Sequence, residues 1–160
     1  VNNWQKLLIN EDNKKIITNA LEYNVKEGKI NLYGFVIMPN HIHLLLELLS
    51  SDKTSFQRNF NKYTSQKIIQ NMIQNNLQNE LLSYKSNQVD RIYQIWERRP
   101  KWIQIQNNLI LNQKLEYIHK NPISKKWDLA NSDQDYLWSS AKAYFTGDNS
   151  EFPFLSMISH

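Results

Sequence analysis

The residues with the most chemical potential are His41 and His43, two apart in a segment dense in β-forming residues. On a strand, residues i and i+2 leave the same face, roughly 6.5 to 7 Å apart. Two imidazoles at that spacing can converge on one metal ion or one phosphate. The plainer alternative is a pair of satisfied histidines at a sheet edge. Leu45 and Glu47 continue the histidine face, and Ile42, Leu44, Leu46 and Leu48 form an apolar face expected in the core. Far along the chain, Tyr117 lies on a segment with helical periodicity. It shares a face with Gln113, Lys114 and Asn121, offset from the apolar stripe of Leu111, Leu115 and Ile118. It can therefore project toward a substrate while the helix stays anchored, or serve as a half-buried aromatic capping the core. Asn121 precedes Pro122, where a helix C-cap is expected, and His119 points elsewhere on the helix, as a structural residue.

The elements that must position these residues follow from periodicity. Asp12 to Lys26 reads as a helix ended by Gly28. Lys29 to Met38 reads as a strand buried on both faces, Pro39 and Asn40 as a tight turn, and His41 to Leu49 as a second strand. The two pair as an antiparallel hairpin. Ser55 to about Leu82 is helical, with Phe56, Phe60 and Tyr63 expected toward the core and Arg58 and Lys62 on another face. Leu82 to Asp90 reads as a loop and Arg91 to Trp96 as a strand. Asn108 is the expected cap of a helix running to Lys120. A short helix or turns follow over Asp133 to Tyr144, where Trp138 and Tyr144 pack, and the last ten residues read as a tail.

The order helix, strand, strand, helix, strand, helix points to an α+β, ferredoxin-like sandwich, an antiparallel sheet with helices packed on it and the first strand missing or shortened. A chain truncated at its N-terminus accounts for this, or Val1 to Ile9 supplies a short irregular strand. A single domain over residues 1–160 is expected, since 160 residues suffice for one hydrophobic core.

Composition narrows the chemistry. There is no cysteine, so disulfides and thiolate metal sites are excluded and an intracellular, cytoplasmic location is favoured. A metal must use His, Asp, Glu, Asn or Gln, a donor set for a harder or borderline divalent ion. The mean hydropathy of −0.64 and the brief apolar runs argue against a membrane protein, and no secretory leader is expected. Nineteen Lys and Arg against 15 Asp and Glu give a net charge of +4, which permits nucleic-acid binding without requiring it.

Two stretches then carry a resemblance. Tyr33-Gly-Phe-Val-Ile-Met-Pro-Asn-His-Ile-His-Leu-Leu-Leu46 closely resembles the signature of IS200-like and REP-associated tyrosine transposases, in which a Met-Pro-Asn-His-x-His sequence supplies HUH-type metal histidines. Lys114-Leu-Glu-Tyr-Ile-His-Lys-Asn-Pro-Ile123 is similar to that family's tyrosine helix. Lys62-Tyr-Thr-Ser-Gln66, Gln94-Ile-Trp-Glu-Arg98 and Asp135-Tyr-Leu-Trp-Ser-Ser-Ala141 resemble further family segments, so the likeness runs from about Tyr33 to Tyr144.

The resemblance implies a single-stranded DNA transposase, with Tyr117 as nucleophile and His41 and His43 as metal ligands. Asn121 falls where related enzymes carry a Gln or Asn that completes the metal shell, which stands beside its reading as a C-cap. Mg²⁺ or Mn²⁺ is the expected ion. A phenol has an ordinary pKa of about 10, so a metal or cation must favour the phenolate, and Lys114 is one candidate. The partners implied are single-stranded DNA with a short hairpin and a second copy of the chain in a homodimer. Single strands are gripped by cations and by aromatics that stack on bases. Arg98, Arg99, Lys101 and Trp102 offer that mixture, and Arg58 and Lys62 a second group. Two rival readings are a DNA-binding protein of the same fold that no longer cuts, and a His-based metal hydrolase using activated water.

Overall fold

The computed structural model describes residues 1–49, 52–89 and 91–158. Its elements are α1 (Glu11–Lys26), β1 (Ile30–Ile37), β2 (Ile42–Leu48), α2 (Lys53–Gln74), α3 (Gln78–Leu81), α4 (Asn108–Lys120) and α5 (Ala141–Thr146). Short 3-10 turns occur at Asn2–Trp4, Leu7–Ile9, Leu82–Tyr84 and Asp133–Asp135. The chain is α+β, a two-stranded antiparallel sheet accompanied by helices, in the pattern of a ferredoxin-like sandwich. It divides into two compact units. One comprises residues 1–20, 39–41 and 51–101, and the other residues 21–38, 42–50 and 102–160.

In the first unit, α2 buries Phe56, Phe60, Thr64, Ile68 and Met72, a strict i, i+4 stripe. Tyr63, expected in the core, falls off that stripe and is 48% exposed. Thr64 takes the buried position because its hydroxyl is satisfied twice. It donates to the Phe60 carbonyl at 2.8 Å and accepts from the Trp96 indole N–H at 2.8 Å. Asp52 caps α2, accepting from the Thr54 and Ser55 amides.

The expected strand over Arg91–Trp96 does not form as an element. Its contacts to the 84–86 segment are one isolated bridge, Lys85 to Tyr93, and the bonds Gln94 N to Tyr84 O and Ser86 N to Ile92 O. Alternation misled here because it registers burial on one side, and Ile95 is indeed buried, whereas a strand also needs a ladder of partners. The expected loop over residues 82–90 opens with a 3-10 turn, and Asp90 lies outside the described residues. Residues 1–9 form turns and no strand.

In the second unit, β1 and β2 pair with Val36 opposite His43 and Ile37 opposite Ile42, and the register shifts between Leu32 and Gly34. The other edge of β1 is also occupied. Ile37 N donates to Trp138 O, Ser140 N to Phe35 O, and Ser156 N to Leu32 O. The C-terminal residues read as a tail thus include partners of β1, while Ser159 and His160 lie outside the described residues.

The face of β2 opposite the histidine face was expected to be the buried one, but it is only half-buried. Leu45, on the histidine face, is the buried residue of the strand. It packs in a core cluster with Val36, Met38, Leu115, Ile118 and Tyr136, because α4 covers that side of the sheet.

Helix α4 begins at Asn108 itself, and its cap is the preceding residue, Asn107, whose Oδ1 accepts from Ile110 N at 2.9 Å. Leu115 and Ile118 seat it against Gly34. A β-carbon on that residue would stand 2.5 Å from Leu115 Cδ1 and 3.2 Å from Ile118 Cδ1. On the same buried side, His119 Nε2 lies 2.8 Å from Ser140 Oγ. Burial lowers the His119 pKa to about 4, a nearby Asp133 opposing only in part.

Gly34→Ala is expected to lower stability by about 1–3 kcal/mol, because buried Leu115 must move; the urea midpoint reads this. A second expectation concerns acid. The folded-state pKa of His119 is below the ordinary 6.5, so the unfolded chain binds the proton first. Stability therefore falls as the pH drops from about 6.5 toward about 4, by at most about 1.4 kcal/mol per pH unit for this group. His43, also lowered by burial, adds in the same direction. Urea titrations across that range should show a shallower slope for His119→Gln than for the parent chain.

Candidate active site

The turn before β2 belongs to the first unit, and a hydrogen-bond network fixes it. Leu8 N donates to Pro39 O at 2.8 Å, and Val1 N to Asn40 O at 2.7 Å. Asn40 is buried, and both ends of its amide are used. Its Nδ2 donates to Trp4 O at 3.1 Å, and its Oδ1 lies 2.6 Å from His41 Nδ1. An amide oxygen only accepts, so Nδ1 of His41 donates, and in the neutral ring the lone pair then falls on Nε2. A hydrogen bond of this kind on one ring nitrogen orients the other for a ligand. The Trp4 ring meets the His41 ring edge-on, at 6.1 Å between centroids.

In the second unit, α4 brings three of the singled-out residues together. The Tyr117 ring stands edge-on to the His43 ring, at 5.7 Å between centroids and 78° between planes. Asn121, one turn on, places its amide Nδ2 3.2 Å from His43 Nε2. Its backbone closes the helix, N donating to Ile118 O, so the residue ends α4 and also reaches the histidine. Tyr117 is 58% exposed, open to a large substrate. His43 is partly buried, and burial lowers its pKa, so its ring is neutral at neutral pH and able to act as a ligand.

These donors suit a hard or borderline divalent ion. Ligands in adjacent positions on an ion with bonds of about 2.1 Å are about 3 Å apart, close to the separation of His43 Nε2 and the Asn121 amide. Ligation needs the amide oxygen toward the ion, which a flip of this nearly isosteric group supplies. Among the described residues, no group of three or more His, Cys, Asp or Glu side chains could hold a metal. An ion here would rest on imidazole nitrogen and amide oxygen.

Lys114 lies one turn before Tyr117 and is half-buried. Arg98, Arg99 and Lys101 are exposed in the first unit, as are Arg58 and Lys62 on α2. Trp102, of the second unit, is 37% exposed. His119 points away from this group, into the core. Sequence reasoning missed the roles of Asn40 and Ser140. Asn40 was legible only as a turn residue, although its place directly before His41 was a usable signal. Ser140 sits in the Trp-Ser-Ser stretch, but its partners, Phe35 and His119, are distant in sequence.

No helix among the described residues is long and apolar enough to cross a membrane. No curated protein and no solved structure shows significant similarity to the chain. The profile of the family described as "Transposase IS200 like" matches residues 1–121 of the 160. That match covers about three quarters of the chain, with His41, His43, Tyr117 and Asn121 inside it, and on it the chain belongs to the IS200-like transposase family.

Proposed function

We propose that this chain cleaves and rejoins single-stranded DNA through a covalent phosphotyrosine on Tyr117, with Mg²⁺ or Mn²⁺ held by His41, His43 and Asn121. The observation that carries this reading is the meeting of Tyr117 and Asn121 with His43, in a chain of this family. Tyr117 Oη forms a bond to the scissile phosphorus as the bond to the 3' oxygen breaks. The phenol loses its proton, and the 3' oxygen leaves as a hydroxyl. The phosphodiester energy stays in the tyrosine–5'-phosphate link, so a free 3'-OH can reverse the step without ATP. A divalent ion bound at the histidines supplies Lewis-acid polarisation of the phosphate. Asn40 keeps the His41 ring in the tautomer that ligates through Nε2. Lys114 is the cation proposed to favour the phenolate.

The approach of Tyr117 to His43 within one chain supports assembly of the site inside a single subunit of a homodimer. The family match includes residues of both compact units, which supports reading residues 1–160 as one catalytic domain. The partner proposed is single-stranded DNA carrying a hairpin, gripped by Arg98, Arg99, Lys101 and Trp102, with Arg58 and Lys62 as a second contact.

Tyr117→Phe should abolish cleavage and leave DNA affinity intact, since at most one hydroxyl hydrogen bond is lost, worth about 0.5–1.5 kcal/mol. His41→Ala and His43→Ala should each abolish metal-dependent cleavage of labelled hairpin DNA. Mass spectrometry of the protease-digested wild-type reaction should find DNA joined to Tyr117 through a 5' phosphate. An adduct on another tyrosine overturns the assignment, cleavage with no adduct favours a metal-activated water, and binding without cleavage favours a DNA-binding protein. Separately, replacing Arg98, Arg99 and Lys101 with Ala should weaken binding and reduce the salt slope by about 0.7 per lost phosphate contact. A binding titration with unchanged affinity and slope would show those cations to be merely solvated.

A further inference from the structure

His119 is a buried histidine, 7% exposed, that the proposed reaction does not use. Tyr117 and Asn121 lie about 40° apart around α4, and His119 is about 160° from each. The helix thus turns its reactive residues to one side and this imidazole to the other. His119 Nε2 is 2.8 Å from Ser140 Oγ. That same oxygen accepts from Phe35 N at 3.0 Å and lies 3.3 Å from Phe35 O. The hydroxyl is thereby tied to the backbone of β1. On another side, the Tyr144 ring packs on the imidazole at 5.4 Å between centroids. Tyr144 is itself fixed, its hydroxyl donating to Tyr33 O at 2.7 Å and accepting from Ile158 N at 3.1 Å.

We propose that His119 is a positioning residue: its hydrogen bond to Ser140 sets the rotation of α4 about its axis and so aims Tyr117 and Asn121 at His43. This deepens the reading of Tyr117 as nucleophile and rests on it. Leu115 and Ile118 hold α4 by apolar contact, which is non-directional and permits a small roll of the helix. A hydrogen bond is directional and does not. A tyrosine hydroxyl stands about 8 Å from the helix axis, so a roll of about 10° carries it about 1.4 Å. A misplacement of about 1 Å at a reacting atom costs about 100-fold in rate. The anchor lies on β1, the strand that pairs Val36 with His43. The nucleophile and its proposed metal ligand are therefore registered to the same strand.

The test compares His119→Leu, which fills the site without a polar atom, with Ser140→Ala and His119→Gln, whose amide reaches the position of Nε2. The readouts are the rate of covalent adduct formation at saturating single-stranded DNA, DNA affinity and the melting temperature. The first two variants should lose about 100-fold in rate with DNA affinity unchanged. His119→Gln should recover most of the rate, and the double variant should be no slower than either single one. Ser140→Ala carries the comparison should His119→Leu fail to fold. Unchanged rates in folded variants overturn the proposal, as does a loss that follows the melting temperature without rescue by Gln. A readout independent of cleavage is ¹⁹F NMR of fluorotyrosine-labelled protein, with the Tyr117 signal identified from Tyr117→Phe. That signal should shift or broaden in Ser140→Ala while that of Tyr63 stays, and an unmoved Tyr117 signal overturns the proposal. Wild-type protein that forms no adduct would refute the nucleophile reading instead, and the NMR comparison would still decide the role of His119.

Discussion

Residue 34 has no side chain, and α4 occupies the space that one would fill. Leu115 and Ile118 lie where a β-carbon on Gly34 would collide with them, and Ser140 Oγ closes the same spot at 3.4 Å. Close approach of helix to strand is what brings Tyr117 and Asn121 within reach of His43. It also explains why Leu45, on the histidine face of β2, is the buried residue of that strand. The face that carries the proposed metal ligands is the face the helix covers.

That closeness sets the electrostatics. Burial lowers the pKa of His43 and brings that of His119 to about 4, so both rings are neutral at neutral pH. Neutral imidazoles serve opposite purposes on the two sides of one helix. His43 keeps a lone pair able to hold a metal, and His119 exchanges a hydrogen bond with a neutral serine inside the core without the cost of a buried charge. Tyr117 itself remains exposed, as its proposed role of nucleophile on a polymer requires.

Around β1 the backbone accounting is nearly continuous. β2 satisfies one edge, and segments near Trp138, Ser140 and Ser156 satisfy the other, although none of these forms a strand of its own. Single bridges suffice because each buried N–H needs only one partner. Residues from the C-terminal part of the chain thus support the strand that supports the proposed site, beyond the segment matched to the family.

By itself the sequence determined the local elements and the candidate residues. α1, β1, β2 and α4 lie within a few residues of where periodicity put them. The spacing His41-x-His43 and the position of Tyr117 off the apolar stripe were legible because strand and helix periods are local. What could not be read was anything requiring a distant partner. Thr64 displaced Tyr63 from the core because Trp96 satisfies its hydroxyl. Residues 91–96 alternate like a strand but lack a ladder. Asn40 looked like a turn residue until its amide met Trp4 and His41, and Ser140 looked like part of a motif until it met Phe35, 105 residues away. Periodicity reports which side of an element is apolar, but hydrogen-bond partners and the helix that covers a face are decided only when the chain packs.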